Sequence, residues 1–232
     1  MRLSTALTAA LLTGLSAKAD TVNMQYMGTG NGRVVRISIN SMSKNVFAGR
    51  LQHNAVWSNG SHSSIVTFST DLFQSVSSAS MSPYSRTSAA LLSGNGGYTN
   101  LGYARQQAIK DVFAAAAGRQ YTLGHDYATA FQVALWEIVY DYNPNTSNHN
   151  LDIANGVFRA KQIDGTSLSA SIREKVAALF AAVGANANLQ TLMAFKSTGF
   201  GDQLTVVPLP PTAWLALGGL GLVAAGRRLR KT

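Results

Sequence analysis

Arg33-Val34-Val35-Arg36-Ile37-Ser38-Ile39-Asn40 is the stretch whose period sets the class of fold. Val35, Ile37 and Ile39 alternate with Arg36, Ser38 and Asn40, as in a strand with one buried and one wet face. Before it, Gly28-Thr29-Gly30-Asn31-Gly32 reads as a turn. After it, residues 45–51 and 64–73 read as further strands, separated by the turn-rich Ser58-Asn59-Gly60-Ser61. Residues 75–97 are rich in Ser and Gly and read as a long loop with one helical turn. The period then changes from 2 to 3.6. Residues 103–117 place Ile109, Val112, Phe113 and Ala116 on one face, with Gly118 as a stop. Residues 127–141, with Asp126 as N-cap and Pro144 just beyond, carry the stripe Phe131, Leu135, Ile138, Tyr142. Residues 169–183 carry Ile172, Val176, Leu179, Phe180 and Val183, and 204–207 read as a closing strand. Strands, then helices, then a strand predict an α+β domain over residues 20–207, an antiparallel β-sheet or sandwich with three inserted helices.

Outside that domain the two ends carry different signals. Arg2 supplies a positive start, residues 3–15 are mostly apolar, and Ala17-Lys18-Ala19 is a small-x-small cleavage pattern. The stretch is too short to cross a bilayer, so it predicts a signal helix removed after Ala19. At the other end Val207-Pro208-Leu209-Pro210-Pro211 leads into the apolar residues 212–226 and then Arg227-Arg228-Leu229-Arg230-Lys231. This predicts a separate, short transmembrane helix in a 208–232 tail, its basic end cytoplasmic and Trp214 near the interface.

The tail resembles the PEP-CTERM sorting signals of Gram-negative bacteria, in their VPLPA variant. Val207, Pro208, Leu209 and Pro210 carry the short motif, and Arg227, Arg228 and Arg230 the basic terminus; Pro211 stands where the variant has Ala. The resemblance implies recognition by an exosortase, a membrane-embedded cysteine peptidase, after signal peptidase has acted at Ala17-Lys18-Ala19. It also implies a transient stay in the inner membrane, then the cell surface or extracellular matrix, where a surface polysaccharide is a candidate partner.

Charge and composition narrow the function. The formal charge is +9, yet two of the nineteen basic residues (Arg2, Lys18) lie in the leader and four in the tail. The thirteen that remain face all ten acids, which is no nucleic-acid footprint. The chain has no cysteine, which excludes thiol catalysis, cysteine-ligated zinc and any thioester.

Gln132-Val133-Ala134-Leu135-Trp136-Glu137-Ile138 is the most informative stretch of the domain. Leu135 and Ile138 belong to the core stripe, and a Gln beside an aromatic on a helix reads as a hydrogen-bonded structural residue. The string also resembles the Gln-x-Ala-x-Trp-Glu segment of Cys–Gln thioester-domain surface proteins. Upstream, Phe68-Ser69-Thr70-Asp71-Leu72 resembles their Phe-Cys-x-Asp-Leu segment, with Ser69 in place of the Cys. Asn155-Gly156-Val157-Phe158 and Gly201-Asp202-Gln203-Leu204 resemble segments of PEP-CTERM proteins of this type. The resemblance implies that Ser69 and Gln132 lie side by side. A Ser hydroxyl lacks the ionised population of a thiol and needs a positioned base, so the pair reads as hydrogen-bonded rather than covalent.

Other constellations are weaker. Asp141, Asn143, Asn145, Ser147 and Asp152 occupy positions 1, 3, 5, 7 and 12 of a calcium-loop template, but Thr146 replaces its Gly, Pro144 intrudes and Asp152 replaces its Glu. His53, His62, His125 and His149 lack metal-ligand spacing, and no Gly-x-Ser-x-Gly elbow accompanies His125-Asp126. Gly94-Asn95-Gly96-Gly97 lacks the Lys of a phosphate loop. The sequence therefore reads as an exported, non-enzymatic surface protein with no catalytic, metal or cofactor set. The alternatives are a secreted hydrolase with an unrecognised catalytic set and a covalent adhesin using a Ser69–Gln132 ester.

Overall fold

The computed structural model describes residues 20–76, 80–94, 99–189 and 191–206. The leader with Ala17 and Ala19, the tail from Val207 onward and the helices expected there lie outside the described residues. The chain runs β1 (Thr21–Ile39), β2 (Met42–Trp57), β3 (His62–Ser69), β4 (Ser82–Thr87), a 3-10 turn (Ala89–Leu91), β5 (Ser93–Gly94) and β6 (Thr99–Asn100). It continues through α1 (Gly102–Ala116), α2 (Arg119–Thr122), α3 (His125–Tyr140), β7 (Phe158–Lys161), α4 (Ala170–Phe180), β8 (Leu192–Lys196) and β9 (Gln203–Val206).

β1 and β2 form one long antiparallel hairpin, in register from Ile39↔Met42 to Val22↔Trp57. Its turn is Asn40-Ser41, where Asn40 takes a positive φ of 51°. Asn tolerates that region because its short polar side chain bonds locally. The Gly28–Gly32 run, expected to be a turn, lies inside β1, where the register slips between Tyr26 and Gly28 and again between Thr29 and Gly32. Glycines inside a strand permit bulges of this kind, and period counting does not separate them from a turn. Gly32 faces Gly49 across the ladder. A Cβ on Gly49 would stand 2.4 Å from the Asn31 carbonyl oxygen and 2.5 Å from Gly32 Cα, so the backbones meet where only hydrogen fits.

The remaining ladders are all antiparallel and return to β1: β2–β3, β3–β9, β9–β8, β8–β4 and β4–β1. What the sequence led one to expect as an open sheet or sandwich is thus a ring of six strands, with β7 added on the far half of β1. The mostly antiparallel sheet with a few helices keeps the α+β class. Val22, Met24, Ala55, Tyr84 and Phe195 pack together on one face of the ring. Phe68, Ala194 and Leu204 on the other face meet Phe113, Phe131 and Leu135 of the helices. The ring needs β4, which lies inside the expected 75–97 loop, and β8, in a stretch to which no period assigns an element. Both are short, and Pro83 in β4 pairs only with Asn23, beyond the Ser85–Thr87 stretch that joins β8.

α3 sits between two apolar layers. Phe131, Leu135 and Ile138 face the ring, while Ala130, Val133 and Trp136 pack on Val35, Ile37, Ala48 and on Ile172 and Val176 of α4. The expected stripe of Phe131, Leu135, Ile138 and Tyr142 is buried, but so is nearly all the rest of the helix. Its N-cap is Gly124, not Asp126; Asp126 stands in the first turn and pairs with Arg33 at 2.7 Å. α1 ends through Ala117 and Gly118, at φ 48° and 84°, the left-handed exit a glycine makes cheap.

Gly49→Ala should lower the stability by about 3 kcal/mol, the upper part of the range for forced overpacking. Gly124→Ala, where nothing lies within 4 Å of the added carbon, should change it by less than about 0.5 kcal/mol. Urea unfolding midpoints of the two variants check the contrast.

Candidate functional site around Ser69 and Gln132

Ser69 ends β3, where it pairs with Gln203, and Gln132 lies in the middle of α3. The structure brings these two residues together. The Ser69 amide donates to Gln132 Oε1 at 3.1 Å, and Gln132 Nε2 donates to the Ser69 carbonyl oxygen at 2.8 Å. A carboxamide offers one donor and one acceptor, like a peptide group, so a helix side chain supplies one more rung to the strand. Gln132 is 1% exposed, and without this partner both its own polar atoms and those of Ser69 would be stranded in the core.

The Ser69 hydroxyl turns the other way. Its Oγ donates to the Asp71 carbonyl oxygen at 3.0 Å, and the Asp71 amide lies 3.2 Å from the same Oγ. A carbonyl is no base, so nothing here draws the proton from the hydroxyl. The segment that follows is held from several sides. Asp71 Oδ1 accepts from the Phe73 and Gln74 amides at 2.7 and 3.2 Å. The Leu72 amide donates to the Tyr140 hydroxyl at 3.0 Å, and the Thr70 amide to the Asp202 carbonyl oxygen at 3.0 Å. The Asp202 carboxyl accepts from the Ser93 and Ser197 amides at 2.7 and 3.0 Å. Burial raises its pKa despite those bonds, with a smaller push from Asp71.

A second buried polar chain lies beside the site. Thr67 Oγ1 donates to Gln203 Oε1 at 2.9 Å, and Gln203 Nε2 donates to the Gly201 carbonyl oxygen at 2.8 Å. Thr67 has one hydroxyl hydrogen, so the 3.3 Å contact with His53 is donated by His53 Nδ1, which leaves Nε2 as the bare nitrogen. That Nε2 is buried without a partner, and burial lowers the His53 pKa to about 4. Glu137, fully buried in α3, shows the opposite case. Burial raises its pKa to about 9, although Oε1 accepts from the Asp152 amide at 2.7 Å.

No family model matches the chain, and no curated protein matches it. A solved structure, the N-terminal thioester domain of fibronectin-binding protein SfbI from Streptococcus pyogenes, aligns with a TM-score of 0.40 and 12% identity, over 79% of this chain and 100% of that chain.

The weaker constellations resolve into structural roles. Asp141 accepts from the Val157 and Phe158 amides, Asn143 Oδ1 from the Asn145 amide and Asp152 Oδ1 from the Ala154 amide, so the calcium-loop template is a series of turns. Asp126 bonds Arg33 and Ser171 rather than His125, and those bonds lower its pKa. His125 Nδ1 instead lies 2.9 Å from the Gly32 carbonyl oxygen, at the rim of a groove of about 910 Å³ bordered by Arg33, Asp126 and Asp164. Among the described residues no three His, Cys, Asp or Glu side chains group to hold a metal. The sequence reading missed Tyr140 and the His53–Thr67–Gln203 chain. Tyr140 was findable, because it stands about two helical turns from Gln132 on the same side; the chain was not, because Gln203 stands 136 residues from Thr67.

Gln132→Leu should cost about 2–4 kcal/mol, because it strands the buried amide and carbonyl of Ser69; equilibrium denaturation measures it. His53 also sets a pH dependence. Its pKa is lower in the folded chain than the usual 6.5, so the unfolded chain takes up more protons between the two values. The His53 contribution should therefore be intact above pH 6.5 and be lost, by about 3 kcal/mol, as the pH drops from 6.5 to about 4. His53→Gln should flatten that limb of the stability–pH curve.

Proposed function

We propose that this protein is an exported, non-enzymatic component of the cell surface or extracellular matrix, in which Ser69 and Gln132 hold the domain together rather than perform chemistry. The observation that carries the reading is the two-point bond between the Gln132 carboxamide and the Ser69 backbone, with the hydroxyl turned to the Asp71 carbonyl. Every polar atom of the pair has a structural partner, and no base reaches the hydroxyl. In this reading signal peptidase cuts after Ala19, and the Val207–Pro210 motif with Arg227, Arg228 and Arg230 presents the tail to an exosortase in the inner membrane. Surface polysaccharide is the partner class, and nucleic acid is not one. Among the described residues no helix is long and apolar enough to cross a membrane.

Intact-mass measurement on the protein from its native host tests both halves. The mature chain should begin at Asp20 and should show no loss of ammonia, a deficit of about 17 Da that a Ser–Gln ester would produce. Deleting Arg227 to Lys231 should leave the precursor in the membrane fraction. Unchanged surface delivery after that deletion refutes the sorting half, and a 17 Da deficit refutes the structural role of the pair.

A further inference from the structure

The turn that follows Ser69 carries two buried oxygens with nothing to accept. Asp71 is 5% exposed, and its Oδ2 has no hydrogen-bond partner; Gln74 Oε1 is likewise buried and without one. Asp71 Oδ1 is already engaged by the Phe73 and Gln74 amides, so Oδ2 is the oxygen left over. An ionised carboxylate oxygen and an amide oxygen are acceptors only, and neither can satisfy the other. Leaving such atoms dry is costly, and more so for a charged one, so each calls for a donor or a cation.

The surroundings favour a cation. A side-chain carbon on Gly201 would stand 3.2 Å from the Gln74 carbonyl oxygen, 3.6 Å from Ser69 Oγ and 3.6 Å from Asp71 Cβ, so the glycine lets its loop come close to the Gln74 carbonyl and the Ser69 hydroxyl beside the Asp71 side chain. The Gly201 amide bonds the Ser75 carbonyl at 3.1 Å, which fastens the two loops to each other. No basic side chain neutralises Asp71: the ion pairs among the described residues are Arg33–Asp126 and Arg86–Asp20. Lys44 comes to this turn but donates to the Leu72 carbonyl oxygen.

We propose that the Asp71–Gln74 turn, with Gly201 opposite, binds a calcium-class divalent cation through Asp71 Oδ2, Gln74 Oε1, the Gln74 carbonyl oxygen and Ser69 Oγ. The donors are all hard oxygens, three of them neutral, two on the turn and one at the end of β3, which suits the adaptable coordination of Ca²⁺ better than the strict octahedron of Mg²⁺. A single carboxylate makes the site weak, in the range of about 0.1–1 mM used by extracellular modules. The bound ion would tie the turn to the end of β3 beside the Gln132 contact.

Isothermal titration of the full-length protein with CaCl₂, and in parallel with MgCl₂, tests this. The expected result is one saturable calcium site and at least tenfold weaker binding of magnesium. Asp71→Asn keeps an Oδ1 for the Phe73 and Gln74 amides but removes the charge, and should weaken calcium at least tenfold. Gln74→Glu adds a second carboxylate and should tighten it about tenfold. Absence of a saturable site in the unaltered protein overturns the proposal and assigns the two oxygens to water. If Asp71→Asn fails to fold, Gln74→Glu decides alone, and an unchanged affinity in that variant also overturns it.

Discussion

The structure depends on α3 being buried on almost every side. A helix wrapped in apolar contacts leaves little water for its polar residues, and three of them take partners within the protein. Thr129 donates to the Ala48 carbonyl of β2, Gln132 grips Ser69 at the end of β3, and Glu137 accepts from the Asp152 amide in the loop before β7. Three separate parts of the chain are thereby located by one helix. The apolar contacts make the helix a core, and these few polar ones set where its surroundings stop.

The same constraint explains the character of the candidate site. Ser69 and Gln132 are adjacent because the helix needs a partner for a carboxamide and the strand needs one for its last peptide group. That exchange is complete without the hydroxyl. With Ser69 Oγ committed to Asp71, reactivity would require a base and a free nucleophile, and neither stands there. The neighbouring histidine is held neutral inside the ring, its bare nitrogen facing no hydroxyl.

How much of this was legible in the sequence follows from the range of each interaction. The alternation in β1 and the 3.6-residue stripes of α1, α3 and α4 are local, and the elements appear within a few residues of where the periods put them. The glycine run in β1 misled because a bulged strand and a turn use the same residue. Closure of the ring could not be read, since it rests on β4, β8 and β9, six residues or shorter, whose pairings include strands far away in the chain. For the site, Gln132 was readable as a buried polar group needing a partner. The identity of that partner came from the likeness of Phe68–Leu72 to a known segment, not from any period.

Closure of the ring has a consequence for how separate chains meet. A β-sheet protein that arrives unfolded, and folds at high local concentration, is vulnerable to pairing its open strand edges with those of its neighbours. Here the strands of the ring are one another's partners. Where β1 has left β4 and not yet reached β7, hydrogen bonds from Asn31, Gly32 and Arg33 to Leu123, His125 and Asp126 occupy part of its edge. The outer edge of β7 is four residues long and turns Arg159 and Lys161 to solvent, a length and charge that discourage another strand from joining. The architecture therefore favours chains that remain separate molecules over chains that fuse into fibres.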